Sequence, residues 1–347
     1  FEQSDVRWVT SDRNAPDYRH LPPDARGSTF DFTTEEMERL IAANRFQPHV
    51  GTHGKILFGL RGCQLIGSGH AQESQGSLRL KDVRPNHRDF RCVIGVYDRK
   101  AKTLSGYTAS TVPNARGVLR YYNLVNHLGS GVKSNLLPTG CYELCVGTHF
   151  GSVTVPGVFR LGNGPMPANS GEATVLRTVN DVTFGTMDVW DRNKPSDNLH
   201  PAFGTSRFSS LGCMTVRGSY RGNGQHTGEW AKFRAAAGLN DGIGQGTRFD
   251  IVLLTGLDAA TAALMRASGS SDDEIDEAIV GLRHGSQGDE VRALQRKLGL
   301  TADGDFGPGT KQALAKAQLD QLEFATGIHS VETDEDMGFE VFGNPLI

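Results

Sequence analysis

Two neighbouring segments carry the residue types that covalent chemistry requires. Asp197-Asn-Leu-His200 is followed after a short loop by Ser209-Ser-Leu-Gly-Cys213. A thiolate nucleophile needs an imidazole to take its proton, and a glycine beside it lets a substrate carbonyl approach backbone N–H donors. This pair of segments supplies all three: Cys213 as nucleophile, His200 as base, and Gly212 with Ser210 in the loop expected to hold an oxyanion. Other chemistry-bearing residues lack such a pattern. His53, His127, His149 and His226 have no ligand spacing and read as surface or turn histidines, and Gly242-Ile-Gly-Gln-Gly246 reads as a turn rather than a phosphate loop. Cys141 and Cys145 sit in one strand-like run, where four residues span roughly 13 Å, too far for a disulfide between them. No second Cys/His pair stands at zinc-finger spacing, so neither a metal nor an organic cofactor is expected.

These segments need a scaffold to position them, and the chain between 55 and 257 offers short β-type runs separated by Gly, Pro and Asn turns. In the run from Phe90 to Tyr97, residues Phe90, Cys92, Ile94 and Val96 share one face, as in one layer of a sandwich or open barrel. The 43 Gly among 347 residues, well above the usual share of roughly 7%, fit a turn-rich, mainly β body. Residues 1–54 form an N-terminal extension with one helix, capped by Thr33 or Thr34, with Glu35, Glu36 and Glu38 near its start and Met37, Leu40 and Ile41 at helical spacing. After the cysteine loop, Glu229, Trp230 and Phe233 mark an amphipathic helix. Residues 258–279 read as a helical linker. Residues 280–326 read as a small all-α helical bundle in which Val291, Leu294 and Leu298 make a core stripe and Phe306 plugs the centre. Residues 327–347 form an acidic tail expected to lie over the surface.

Charge narrows the partners. With 36 Lys+Arg against 39 Asp+Glu the net charge is -3, which gives no basic field for nucleic acid or anionic lipid. The longest apolar stretches, such as Ile251-Val-Leu-Leu254, are too short for a membrane span. Five cysteines, an odd and low number for this length, exclude a fold stapled by disulfides.

The pattern around Cys213 resembles a divergent YkuD-type L,D-transpeptidase catalytic domain, whose motif is a His, a loop, and then Ser/Thr-His-Gly-Cys. The resemblance covers about residues 90 to 255 and includes Leu137-Pro-Thr-Gly-Cys-Tyr142, similar to the Thr-Pro-x-Gly-x-Phe/Tyr run that opens a strand in that family. Three features depart from it. Leu211 replaces the second His, Thr215 stands where an Arg is common, and only twelve residues separate His200 from Cys213. The C-terminal segment is similar to the peptidoglycan-binding domains appended to cell-wall enzymes, through Gly285, Gly288, Val291, Leu294-Gln295, Leu298, Asp303-Gly304, Phe306-Gly307, Thr310 and Ala313. Together these resemblances imply a YkuD-like β-sandwich or open barrel followed by a wall-binding module, acting outside the cytoplasm on peptidoglycan or delivered there by a phage or secretion system. Cys213 would acylate on a stem peptide with His200 as base and then acid. An amine would resolve the thioester to a crosslink, and water would make the protein a carboxypeptidase or endopeptidase. Arg217 is the nearest substitute for the missing anion-holding Arg, Leu211 lies beside the cleft, and Trp190 either walls the cleft or packs in the core. The competing expectation is a wall-binding structural protein of a phage or secretion apparatus that kept the fold and lost the chemistry.

Overall fold

The computed structural model describes residues 21, 25–50, 54–67, 69–118, 134–151, 153–166, 168, 170–178, 189–239 and 244–343. His53, His127 and the start of the Gly242–Gly246 turn lie outside the described residues, as do residues 1–20 and 344–347.

Eight strands of the central chain build one ring: β1 (Lys55–Arg61), β2 (Cys92–Asp98), β3 (Thr103–Ser110), β4 (Gly140–His149), β5 (Val155–Leu161), β6 (Asn198–Pro201), β7 (Met214–Val216) and β8 (Arg248–Thr255), with the strand Ala71–Gln75 added on β3. They are hydrogen-bonded in the order β7-β6-β5-β4-β8-β1-β2-β3, and β7 then pairs back to β3 through Thr215 with Ser110 and Val216 with Ala109. The sheet therefore closes into a mixed barrel, with β6–β7 and β8–β1 parallel and the other neighbours antiparallel. This confirms a mainly β body but corrects the open barrel or sandwich: the three-residue β7 bridges the two edges that an open sheet would leave unpaired.

Period-two alternation sends one set of side chains into the lumen and the other outward. Leu57, Ile94, Val96, Tyr107, Leu144, Val146, Phe159, Leu199, Met214, Ile251 and Leu253 form one buried cluster inside the ring. Helix α2 (Glu229–Ala236) adds Trp230 and Phe233 to that cluster, with Trp230 meeting Phe159 edge-on at 6.0 Å. Cys92 joins Ile94 and Val96 there, whereas Phe90 lies outside the strand and packs on Phe208 at 5.6 Å.

The outward set, including Ile56, Phe58, Leu60, Val93, Val252 and Leu254, is covered by a second apolar layer. That layer contains α1 (Thr34–Ala43), α3 (Gly256–Ala267), α4 (Asp272–Ile279) and a sheet of Thr29–Thr33, Ser77–Asp82 and Cys63–Leu65. Helix α1 starts on the expected signal, a capping box in which Thr33 accepts from the Glu36 N–H and the Glu36 carboxylate accepts from the Thr33 N–H. The segment read as a linker is thus core structure: Gly256 to Ala263 of α3 are all buried.

Beyond residue 280, α5 (Asp289–Lys297), α6 (Pro308–Leu322) and α7 (Val331–Met337) surround a small cluster of Leu282, Val291, Leu294, Phe306 and Leu314. The acidic tail is not laid over the surface. Its Met337, Phe339 and Val341 enter the same cluster, and the Asp334 carboxylate accepts from the main chain of Val341 and from Nε2 of His329 at 2.8 Å.

Candidate functional site

Strand register assembles the site. Arg160 of β5 stands opposite Asn198 of β6, and Leu199 opposite Met214 of β7, so Asn198 lies beside Cys213 and His200 beside Thr215. Because Leu199 and Met214 point into the lumen, alternation turns Asn198, His200, Cys213 and Thr215 to the outer wall. His149, at the end of β4, reaches the same patch and stacks on His200 with ring centres 4.7 Å apart.

The cysteine turn is tied shut by its own serine. Ser210 Oγ donates to the Cys213 carbonyl at 2.6 Å and accepts the Gly212 N–H at 3.0 Å. Neighbouring segments pin it from both sides, with the Asn114 N–H on the Ser210 carbonyl at 2.9 Å and the Asn135 N–H on the Leu211 carbonyl at 2.7 Å. Glycine is required at 212 by close approach, since a Cβ there would lie 2.6 Å from Asn135 Cβ and 2.7 Å from Asp197 Oδ1.

Cys213 is half-buried, and its Sγ accepts the Asn198 N–H at 3.4 Å. Burial, then the Asp197 carboxylate, push the thiol up to about 12; the N–H groups of Asn198 and of Cys213 itself and the Arg160 guanidinium act the other way. Asp197 is buried, with Oδ1 accepting from Asn135 Nδ2 at 3.1 Å and Oδ2 without a partner among the described residues. Burial raises its carboxyl to about 7. Arg160 donates to the Thr148 carbonyl and to Ser170 Oγ.

His200 is buried, and its Nδ1 lies 2.7 Å from the Pro201 carbonyl. A carbonyl only accepts, so Nδ1 carries the proton and Nε2 is left as the basic nitrogen. Burial and the adjacent His149 push this imidazole down to about 3, which keeps it neutral at physiological pH. His149 is lowered as well, by burial and then by Arg160, and its Nδ1 lies 3.1 Å from Asn198 Nδ2. Strands about 4.8 Å apart and a two-residue advance of roughly 6.6 Å put the α-carbons of Cys213 and His200 on a diagonal of about 8 Å. Among the described residues no hydrogen bond joins Sγ to either ring; Sγ is bonded to a main-chain N–H and His200 to a carbonyl.

The structure thus gathers Cys213, His200, Ser210, Gly212 and Leu211, the last 43% exposed at the rim. It corrects the roles of several residues. Ser210 and the Gly212 N–H hold the turn and are not free for an oxyanion. Arg217 is committed to Glu229 at 2.6 Å and to the Thr205 carbonyl at 2.8 Å, tying the end of β7 to α2, so its charge is already balanced. Trp190, in the strand Val189–Asn193, takes the second of its two expected roles: it packs against the outer apolar core, beneath Lys311 Nζ at 5.5 Å from the ring, and does not wall the cysteine cleft. Sequence reading passed over Arg160, quoted Asp197 and Asn198 without giving them a role, and misread His149 as a surface or turn histidine, whereas it ends strand β4 and stacks on His200. A charged residue inside the apolar strand β5 and a carboxylate at the start of the His200 segment were the available signals.

No protein-family model, curated protein or solved structure matches this chain. Fold and site define its class: a closed, mixed eight-stranded barrel that carries a thiol and a neutral imidazole on the outer wall of one parallel strand pair.

Proposed function

We propose that this chain is a cysteine acyl-transfer enzyme of YkuD-like layout acting on peptidoglycan stem peptides outside the cytoplasm, as an L,D-transpeptidase or an L,D-carboxypeptidase or endopeptidase. The observation that carries the reading is Cys213 at the head of β7, with main-chain N–H donors at its sulfur and a neutral His200 on the same wall of the neighbouring strand. Sγ attacks a stem-peptide carbonyl while its proton passes to His200 Nε2, forming the S–C bond. His200 then returns that proton to the departing amine as the C–N bond breaks, and an amine or water resolves the thioester. With Ser210 and the Gly212 N–H engaged, oxyanion stabilisation falls to the other main-chain N–H groups of the loop from Leu211 to Cys213. Because the resting thiol is held near 12 and the imidazole near 3, attack and proton transfer occur together once substrate covers the site. No metal or organic cofactor is invoked.

The same thiol position, and the lack of a sulfur–imidazole hydrogen bond, favour a second reading: a wall-binding structural protein of a phage or secretion apparatus in which Cys213 is inert. Digestion of purified sacculi with wild type, Cys213→Ala and His200→Ala, followed by mass separation of the products, decides between them. Crosslinked or trimmed stems produced by wild type alone support the enzyme; identical product profiles from all three support the structural role.

A further inference from the structure

Beside the cysteine turn lies a polar cleft of about 360 Å³ to which three separate chain segments each bring one arginine: Arg88, Arg116 and Arg207. Its single carboxylate is Asp89, which already accepts from Asn86 Nδ2 at 2.9 Å and has Arg91 at 3.7 Å. None of the three guanidinium groups has an ion pair or hydrogen bond among the described residues. That contrasts with Arg217, Arg177 and Arg192, each of which is paired with a carboxylate. Three arginines, two of them exposed, around a concave surface with one carboxylate give the cleft a positive lining, which suits an anion.

The cleft is built rather than incidental. The Ala115 N–H bonds the His87 carbonyl at 2.8 Å, His87 Nδ1 bonds the Pro113 carbonyl at 2.8 Å, and Asn114 Nδ2 bonds the Phe208 carbonyl at 2.9 Å. These bonds lock together the three segments that carry the arginines. The cleft adjoins the site without including its reacting groups: Ser209 lines it at the start of the turn that ends in Cys213, and Phe203 lines it while packing on the His200 ring at 5.2 Å.

We propose that this cleft binds the terminal carboxylate of the peptide whose carbonyl Cys213 attacks, with Arg88, Arg116 and Arg207 as the anion-holding residues. The assignment rests on the acyl-transfer reading above and places specificity on the side of the turn away from Arg217. Planar guanidinium groups grip a carboxylate through paired, charge-assisted hydrogen bonds.

The test measures calorimetric binding to full-length Cys213→Ala, which binds without turnover. The probes are an acetylated tetrapeptide with a free terminal carboxylate, the same peptide as a carboxamide, and inorganic phosphate. The carboxylate peptide should bind at least tenfold more tightly than the carboxamide, and adding Arg88→Gln and Arg207→Gln should erase that ratio without lowering the melting temperature. Equal binding of the two peptides, a ratio that survives the arginine substitutions, or affinity for phosphate alone would overturn the assignment. Failure here is separable from failure of the chemistry. Turnover of sacculi without a carboxylate preference removes the anion site and leaves the acyl transfer. An arginine-dependent preference without turnover removes the acyl transfer and leaves the anion site.

Discussion

Around Cys213 the decisive term is burial, and it acts on three groups at once. It holds the thiol up near 12, the Asp197 carboxyl up near 7 and the His200 ring down near 3, so in each case the neutral form is favoured. Cys213 is the one cysteine that is not buried, so alkylation of the native protein reports on it alone. Iodoacetamide at pH 7.5 should therefore label Cys213 at least tenfold more slowly than an ordinary thiol of pKa about 8.5, with a rate still climbing beyond pH 10. Mass-resolved labelling rates check this, and fast labelling with a plateau near pH 8 would refute it. Asp197 gives a second test through stability. Its folded pKa, about 7, lies above the ordinary carboxyl value of 3.8, so the stability it contributes is full below about pH 4 and is lost as pH rises through 7. His200 and His284, both displaced downward to about 3, contribute in the opposite sense, losing stability as pH falls below their ordinary range. Comparing Asp197→Asn with wild type isolates the carboxyl. The variant should gain on wild type between pH 4 and pH 8, by ~4 kcal/mol at most for a displacement of about three units. A difference in melting temperature that is flat across that range would show Asp197 to be better solvated than the structure places it.

At the scale of elements, the site depends on a three-residue strand and the turn that delivers it. Removing the Ser210 hydroxyl frees both the Cys213 carbonyl and the Gly212 N–H, which at about 1–3 kcal/mol for groups left unsatisfied should make Ser210→Ala destabilising. Gly212→Ala should cost a comparable ~1–3 kcal/mol through crowding against Asn135 and Asp197. Denaturant midpoints measure both, and unchanged midpoints would mean that the turn is not closed in this way. Local signals made part of this legible. The Cys92, Ile94 and Val96 face, the Thr33 to Glu36 cap and the helix carrying Trp230 and Phe233 follow from periodicity and capping chemistry within a few residues. Barrel closure does not, because β7 shows three residues of pattern and its partner Ser110 lies far back in the chain. Arg160 was missed and His149 misread as a surface or turn histidine for the same reason: each joins the site only through the register of β4, β5 and β6. Arg217 misled because spacing along a strand does not reveal a carboxylate on the following helix, and Glu229 holds it.

Across the whole molecule, the helical C-terminal segment is joined to the barrel by buried chemistry rather than tethered to it. The Cys141 N–H donates to the His284 carbonyl at 2.8 Å, and the Tyr142 and His284 rings stack at 4.4 Å. Gly285, one of the glycines that carry the resemblance to wall-binding modules, has φ +87°, and a Cβ there would come within 2.5 Å of the Cys141 carbonyl oxygen. At that position, glycine therefore serves the seam. Next to it, Arg283 is fully buried and pairs with Asp258 of α3 at 3.1 Å while also bonding Thr139 Oγ1. Deleting the chain beyond residue 279 would leave the Asp258 charge buried without this cation, and breaking such a pair costs about 3–5 kcal/mol, a large share of the roughly 5–15 kcal/mol that holds a domain folded. The truncated chain should therefore be insoluble or melt far below the full one, and Arg283→Met should reproduce much of that loss within the intact chain. Adding Asp258→Asn to Arg283→Met removes the stranded charge, so the double variant should be more stable than the single one. Calorimetric melting of wild type, the truncated chain, each single variant and the double variant distinguishes the cases. If the truncated chain melts with wild type and the two point variants behave additively, the segment is an independent module. If the double variant recovers stability, the wall binding that the sequence resemblance implies has to be tested by surface substitutions on α5 and α6 of the whole chain, because removing the segment would unfold the scaffold that presents Cys213.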